Sequence, residues 1–128
     1  MIEVAAAIIE NGEGQILIAR RRAGKAQAGM WEFPGGKLEP GESPQACLQR
    51  ELLEEMNLAI APYAPFAVNA HDYGDTAIRL IAYRATLVAG ELQLRDHDDY
   101  RWVAPSELSA FSFAPADKPF VALLMKGV

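Results

Sequence analysis

Three glutamates near the middle of the chain have the spacing needed to bind a metal ion together. Glu51, Glu54 and Glu55 stand at positions i, i+3 and i+4, which share one face of a helix. Carboxylates this close repel one another, by about 1 kcal/mol or more per pair when partly buried. A hard divalent cation such as Mg²⁺ removes that repulsion, because it takes oxygen ligands and shares them with substrate phosphates. The alternative is a solvated charged face, which the preceding loop disfavours.

That loop contains the run Pro34-Gly35-Gly36-Lys37. Glycines let backbone groups approach a ligand closely, and we expect Pro-Gly-Gly to interrupt any regular element. Ser43 and Pro44 then predict a helix start, with the serine as N-cap and the proline in the first turn. The helix should end near Met56, with Asn57 as a left-handed C-terminal residue. We expect an apolar arc opposite the three glutamates, formed by Ala46, Leu48, Leu52, Leu53 and Met56.

Strands and short helices fill the rest of the chain. Apolar and β-branched runs predict strands at residues 2–9, 15–20, 63–70, 77–87 and 101–103, with a hairpin turn at Asn11-Gly12. A helical turn is expected at 105–108 and a terminal helix at 119–125, whereas His71 and His97 fall in predicted loops. Strands and helices in this order indicate an α+β fold.

The composition of the chain limits its number of domains, its partners and its compartment. It has 128 residues, which predicts one domain over 1–128, and its net charge is 12 − 17 = −5, which argues against a duplex nucleic acid partner. A single cysteine, Cys47, excludes an internal disulfide and favours a reducing compartment; packing of a small side chain is its expected role. No apolar stretch approaches the roughly 20 residues of a membrane span. We therefore expect a cytoplasmic location and no membrane partner.

The segment from Gly36 to Leu58 resembles a known motif, the Nudix box. The box reads Gly, five residues, Glu, seven residues, then Arg-Glu-apolar-x-Glu-Glu-x-Gly-apolar. The positions in register are Gly36, Glu42, Arg50, Glu51, Leu52, Glu54, Glu55 and Leu58. Asn57 replaces the glycine, and asparagine tolerates the left-handed conformation next best. Most of the chain resembles the MutT branch of the Nudix hydrolases, and within it the bacterial CTP pyrophosphohydrolases and 8-oxo-dGTP diphosphatases.

This resemblance implies a Nudix fold, in which a mixed β-sheet is sandwiched between α-helices and the box forms a loop, a helix and a loop. It also implies Mg²⁺ (or Mn²⁺) as cofactor. The implied metal ligands are Glu51, Glu54, Glu55, the carbonyl of Gly36, and Asp96, with Asp98 and Asp99 as substitutes for the last. The three box glutamates are also the expected catalytic residues, although the identity of the general base stays open. Glu42 and Arg50 are expected to pair and brace the loop against the helix.

Four other residues are candidates for binding the substrate. Arg21 and Lys37 are candidate phosphate partners, or else solvated surface cations. Phe33 could stack on a base together with Phe113, or both rings belong to the core. Asp117, in Pro115-Ala116-Asp117-Lys118-Pro119, stands where MutT relatives read the base. As an ionised acceptor it would suit cytosine N4, guanine N1 and N2 or adenine N6. The alternative is that Asp117 caps the terminal helix.

The resemblance implies a nucleoside triphosphate pyrophosphohydrolase that cleaves (d)NTPs to (d)NMP and pyrophosphate. Its expected role is to remove damaged nucleotides such as 8-oxo-dGTP or modified CTP and dCTP. One alternative is hydrolysis of another nucleoside diphosphate derivative, ADP-ribose or a dinucleotide polyphosphate. The other is a silent domain that only binds nucleotide. The sequence leaves open the preferred base, the number of metal ions, and whether the protein is a monomer or homodimer.

Overall fold

The first strand, β1 (Ile2–Glu10), lies in the middle of the sheet and is buried on both sides. In the computed structural model, which describes residues 1–127, the side chains of Ala6 and Ile8 enter one core, and those of Ala7 and Ile9 enter the other. Successive residues of a strand point to opposite faces, so an almost wholly apolar strand is needed where both faces are covered.

Around β1, the sheet contains parallel and antiparallel pairs. Its strands are β2 (Ile16–Arg21), β3 (Trp31–Glu32), β4 (Gly35–Lys37), β5 (Ala59–Asp72), β6 (Ala77–Ala89) and β7 (His97–Val103). The order is β3-β2-β1-β6-β5, with β4 also paired to β1 and β7 to β2. Among these strands, as described within residues 1–127, only β1 and β6 pair in parallel.

Helices cover both faces of this sheet. On one face, α1 (Pro44–Met56) buries Leu48 and Leu52. On the other, α2 (Lys118–Met125) buries Phe120, together with the 3₁₀ turns at Pro105–Ala110 and Pro115–Asp117. The expected α+β sandwich is confirmed. No helix in the described part of the chain is long and apolar enough to cross a membrane.

The predicted ends of α1 are confirmed. Ser43 Oγ accepts a hydrogen bond from the backbone N–H of Ala46 at 3.1 Å, which satisfies an unpaired donor of the first turn. Asn57 adopts the left-handed conformation, with φ 56° and ψ 34°. Asparagine therefore ends the helix as the glycine of the motif would.

Three expectations about local structure are wrong. The Pro-Gly-Gly run does not interrupt regular structure, because Gly35–Lys37 forms β4 and pairs with β1. A Cβ at Gly35 would collide with the carbonyl oxygen of Ala5, so glycine is what allows these two backbones to pair. Leu53 and Ala46 are exposed, because the buried side of α1 is formed by Cys47, Leu48, Leu52 and Met56.

The later strands are longer than predicted. β5 extends over Ala59–Asp72, although it contains Pro62 and Pro65. It is an edge strand and its register shifts beside both prolines, which is where a sheet tolerates a residue without an N–H. β7 begins at His97, so this histidine lies in a strand and not in a loop.

Candidate active site

One cleft, with a volume of about 980 Å³, gathers nearly all the predicted site residues. A volume of this size suits a small organic ligand. The predicted residues that line it are Arg21, Phe33, Gly36, Lys37, Glu51, Glu55, Asp96 and Asp117. Glu54 does not line it.

Two of the three box glutamates lie on the buried side of α1 rather than opposite the apolar stripe. Cys47, Glu51 and Glu55 are spaced by four residues, so they form one row along the helix. Cys47 is fully buried, and the Glu51 side chain is 14 % exposed. The expectation that carboxylates and apolar residues occupy opposite arcs is therefore wrong, since this row forms one border of the buried stripe.

Glu54 faces outwards. Its side chain is 60 % exposed, and its Oε2 lies 3.4 Å from an Arg50 guanidinium nitrogen. The three glutamates do not all enter the cleft in this arrangement, because Glu54 lies beyond the border that Glu51 and Glu55 form. Glu54 remains within one turn of both, on the same helix.

Gly36 lies directly against the Glu51 carboxylate. A Cβ at Gly36 would be 2.6 Å from Glu51 Oε2, so any other residue here would displace the Glu51 carboxylate. The Gly36 carbonyl accepts a hydrogen bond from Cys47 Sγ at 3.4 Å. Burial raises the pKa of the Cys47 thiol to about 12, so this cysteine is an inert packing group, as expected.

Arg50 connects the box loop to the helix, as predicted. Its Nε and one terminal nitrogen bind both oxygens of Glu42, at 2.8 and 2.9 Å. Its other terminal nitrogen donates to Glu51 Oε1 at 2.7 Å. The hydrogen bonds from Arg50 lower the pKa of Glu42 to about 2, and the Glu39 backbone N–H adds to this effect. Such a bidentate pair fixes geometry as well as charge.

Glu55 lies among other acidic side chains of the cleft. Burial, with the hydrogen bond to Glu51 and the charge of Glu51, raises the pKa of its carboxyl to about 9. The charges of Glu32 and Asp96 act in the same direction. An all-oxygen set of acidic side chains fits a hard divalent cation, which would favour the ionised form of Glu55. Within residues 1–127, no three Asp, Glu, His or Cys side chains lie close enough together to coordinate a metal ion.

Asp96 lines the same cleft from the segment just before β7. The Lys25 ammonium lies 3.4 Å from its Oδ1, and both side chains are more than a third exposed. Asp98 and Asp99 are engaged elsewhere, with Arg20 and Arg101 respectively. Neither of these two acids lines the cleft, so Asp96 is the best placed of the three.

Asp117 is almost completely buried, at 5 % exposure. Its Oδ2 accepts a hydrogen bond from the Phe33 backbone N–H at 3.0 Å, and its side chain makes no capping hydrogen bond to α2. The capping alternative is therefore wrong. Burial raises the pKa of Asp117 well above its usual range, the charge of Glu32 adds to this, and the Phe33 N–H and Arg21 charge act in the opposite direction. The carboxyl is thus able to present both a hydroxyl donor and a carbonyl acceptor to the cleft.

Arg21 is held in the cleft wall rather than free in solvent. Its guanidinium donates to Glu32 Oε1 at 2.9 Å and to the Ala26 carbonyl at 2.5 Å. The other oxygen of Glu32 lies 2.8 Å from His97 Nε2. Lys37, by contrast, is exposed at the rim of the cleft, at the end of β4.

Phe33 is a core residue with one side on the cleft. It is 2 % exposed, and its ring centroid lies 5.2 Å from that of Phe113. Because the two rings contact each other, a base cannot lie between them. Phe33 still contributes its backbone N–H, which holds Asp117.

Sequence reasoning missed Glu32 and His97, which both line the cleft. They are 65 residues apart in the chain, so no local spacing connects them. Glu32 precedes the Phe-Pro-Gly-Gly run directly, and that position was the available signal.

Comparison with known proteins shows the family to which the chain belongs. A family model described as the NUDIX domain matches residues 5–123. The chain belongs to the Nudix family. The CTP pyrophosphohydrolase of Escherichia coli (strain K12) is 41 % identical over 125 residues, which are 98 % of this chain and 92 % of that protein. The 8-oxo-dGTP diphosphatase of the same organism is 32 % identical, over 98 % of this chain and 97 % of that one.

Solved Nudix structures have the same fold. The crystal structure of the MutT protein from Methanosarcina mazei Go1 superposes with a TM-score of 0.87 at 26 % identity, covering 98 % of this chain and 94 % of that one. Nudix hydrolases generally need a divalent metal ion. The predicted Nudix fold and membership of the hydrolase family are confirmed.

Proposed function

We propose that this Nudix protein is a nucleoside triphosphate pyrophosphohydrolase that releases a nucleoside monophosphate and pyrophosphate, with Mg²⁺ or Mn²⁺ as cofactor. The observation that carries the proposal is that Glu51, Glu55 and the buried Asp117 line one cleft. Acidic oxygens at the helix suit a cation and its phosphates, while a buried carboxyl suits the edge of a base. The names of the two enzymes from Escherichia coli support the same substrate class.

The proposed ligands of the cation are Glu51, Glu54, Glu55, Asp96 and the Gly36 carbonyl. When bound, the cation neutralises phosphate oxygens and lowers the pKa of a coordinated water. Glu51, Glu54 and Glu55 are the proposed catalytic residues, with a carboxylate oxygen accepting the proton of the attacking water. Arg50 holds Glu51 in place through the hydrogen bond at 2.7 Å.

The proposed phosphate partners are Arg21 and Lys37. Arg21 already points its guanidinium into the cleft wall, because Glu32 and the Ala26 carbonyl fix two of its N–H groups. Lys37 follows Gly36 directly, so its ammonium stands at the same rim as the glutamates. Both cations would offset charge that the polyphosphate brings into an acidic site.

We propose that Asp117 recognises the base by hydrogen bonds, and that the Phe33 backbone N–H holds the Asp117 carboxyl in place. A neutral carboxyl donates to N3 of cytosine and accepts from its N4 amino group, and the N1–N6 edge of adenine offers the same pattern. An ionised carboxylate would instead accept from N1 and N2 of guanine. Treating Asp117 only as an ionised acceptor is therefore too narrow, since burial favours the neutral form.

We also propose a cytoplasmic location, where nucleotide pools are found, for a monomer or homodimer. The buried free thiol of Cys47 fits a reducing compartment.

A product assay tests the proposed reaction. Pyrophosphate and nucleoside monophosphate would be measured with the eight normal nucleotides, 8-oxo-dGTP and 5-methyl-dCTP, in Mg²⁺, Mn²⁺ or EDTA. We expect cleavage of a subset of the triphosphates in either cation and none in EDTA. Cleavage of ADP-ribose or a dinucleotide polyphosphate without any triphosphate turnover would support the alternative substrate class. Nucleotide binding without turnover of any compound would make this a silent Nudix domain.

A further inference from the structure

His97 is a buried histidine whose ring makes one polar contact among the described residues. Its side chain is 2 % exposed, and its Nε2 lies 2.8 Å from Glu32 Oε2. Because a carboxylate only accepts hydrogen bonds, Nε2–H is the donor of this contact. Nδ1 is buried and has no hydrogen-bond partner within residues 1–127.

A histidine that only filled space would be a poor choice at this position. An unpaired buried polar atom such as Nδ1 is unfavourable, and an apolar side chain of similar volume would avoid that penalty. Stability alone therefore does not account for the imidazole. Its one hydrogen bond leads to Glu32, which lines the cleft.

An irregularity in the sheet directs His97 towards Glu32. Along a regular strand, His97 would share a face with Arg101 and Val103, two and three alternations further on. The register between β2 and β7 shifts between Arg20 and Arg21, so that His97 stands opposite Arg21. Bulges of this kind redirect side chains next to functional sites.

The hydrogen bonds continue from Glu32 to Arg21. One oxygen of Glu32 binds His97, and the other accepts from the Arg21 guanidinium at 2.9 Å. With a further bond to the Ala26 carbonyl, Arg21 uses two of its five N–H groups on partners in the described chain. The remaining N–H groups are free to meet a ligand, and the guanidinium cannot rotate without breaking both bonds.

We propose that His97 is a positioning residue, which holds the Glu32 carboxylate through Nε2–H and thereby fixes the Arg21 guanidinium where it meets the phosphates of a nucleotide. This inference rests on the proposed function for the identity of the ligand. His97 itself touches neither the substrate nor the reacting atoms. Its removal therefore weakens binding of the phosphate chain more than it slows the chemical step.

Two variants separate this role from mere packing. In His97→Gln the side-chain amide nitrogen takes the place of Nε2 and can still donate to Glu32. In His97→Asn the side-chain amide reaches only the position of Nδ1, so it cannot donate to Glu32. Both variants remove a similar part of the imidazole ring. Steady-state kinetics with the preferred triphosphate would be combined with calorimetric binding of inorganic pyrophosphate in Mg²⁺.

For His97→Asn we expect KM and the pyrophosphate Kd to rise about tenfold, because a hydrogen bond to a charged group is lost, with kcat within about twofold. His97→Gln should keep both values within about threefold of the wild type. In a Glu32→Gln background, His97→Asn should have no further effect, since His97 acts through Glu32. Equal effects of the two His97 variants, or effects that multiply in the double variant, would overturn the proposal.

The two proposals fail in different ways. If the wild-type protein cleaves no triphosphate, the proposed function is wrong, and the pyrophosphate Kd still decides the role of His97. If both His97 variants fail to fold, two-bond ¹⁵N–¹H correlation spectra of the wild type and of Glu32→Gln decide it. A proton on Nε2 whose shift moves in Glu32→Gln supports the role, whereas an Nε2 without a proton, or an Nε2 proton whose shift is the same in Glu32→Gln, contradicts it.

Discussion

Two groups of charges on either side of the Glu51 carboxylate are organised in opposite ways. Around Arg50, the carboxylates of Glu42, Glu51 and Glu54 all contact one guanidinium. Inside the cleft, the partly buried Glu55 and the buried Asp117 have no cationic partner at ion-pair distance among the described residues, and the pKa of each is raised. We call the first group the Arg50 cluster and the second the buried acids. The comparison teaches that compensated charges hold this site together, whereas uncompensated ones are left for ligands.

Neutralising one buried acid should have the largest effect on activity. Glu55→Gln removes a proposed metal ligand and catalytic residue, and the amide can still donate a hydrogen bond to Glu51 as the neutral carboxyl does. We expect kcat to fall by about 10³-fold or more, with Tm in EDTA unchanged or raised. Glu13→Gln, in an exposed turn, is the matched control and should alter neither value. A fall in Tm that accompanies the loss of kcat would place Glu55 among the structural charges.

Arg50 should give the reverse pattern, in which stability and activity fall together. Arg50→Met leaves Glu42 and Glu51 without their shared partner, so we expect a lower Tm and a kcat reduced by about tenfold or more. Arg50→Lys keeps the charge but not the bidentate geometry, and its effect should be intermediate. Kinetics and thermal melting measured on the same preparations would check this. The distinction between the two groups fails if Arg50→Met melts like the wild type.

Substitutions of Asp117 should change the choice of base rather than the chemical step. Asparagine imitates a neutral carboxyl, with one donor and one acceptor, and its oxygen can still accept from Phe33. We expect Asp117→Asn to shift the ratio of kcat/KM values for CTP and 8-oxo-dGTP by about tenfold towards CTP. Asp117→Ala should weaken both substrates. An unchanged ratio in both variants would mean that Asp117 does not contact the base.

The two groups should also respond to pH with opposite sign, through small changes in Tm. The pKa of Glu42 is lowered from 4.5 to about 2, so its contribution to stability is present above 4.5 and is lost as pH falls towards 2. The pKa of Asp117 is raised from 3.8, so its contribution is fully present below that value and is lost as pH rises through the raised pKa. In EDTA, Glu42→Gln should flatten the acid side of the Tm profile and Asp117→Asn the alkaline side. If the Tm profiles of both variants ran parallel to that of the wild type, the two groups would not differ in their response to pH.

Local rules predicted α1 and its ends, because a cap, a proline and a left-handed residue act over a few positions. They placed the carboxylates wrongly around the helix, since burial of Glu51 depends on the approach of Gly36 from β4. They predicted too short a strand for β5, because its prolines are compatible with a strand only at the edge of a sheet. The partnership of Glu32 and His97 could not be predicted, because it arises from the pairing of β2 with β3 and β7.

The most direct test of the central claim is binding of Mn²⁺ to the wild type and to Glu55→Gln, followed by electron paramagnetic resonance without nucleotide. If the buried acids are kept uncompensated for a cation, the wild type binds Mn²⁺ and Glu55→Gln binds it at least about tenfold more weakly. Glu13→Gln should bind it as the wild type does. Equal Mn²⁺ affinity in the wild type and Glu55→Gln would contradict the claim that Glu55 holds the metal ion.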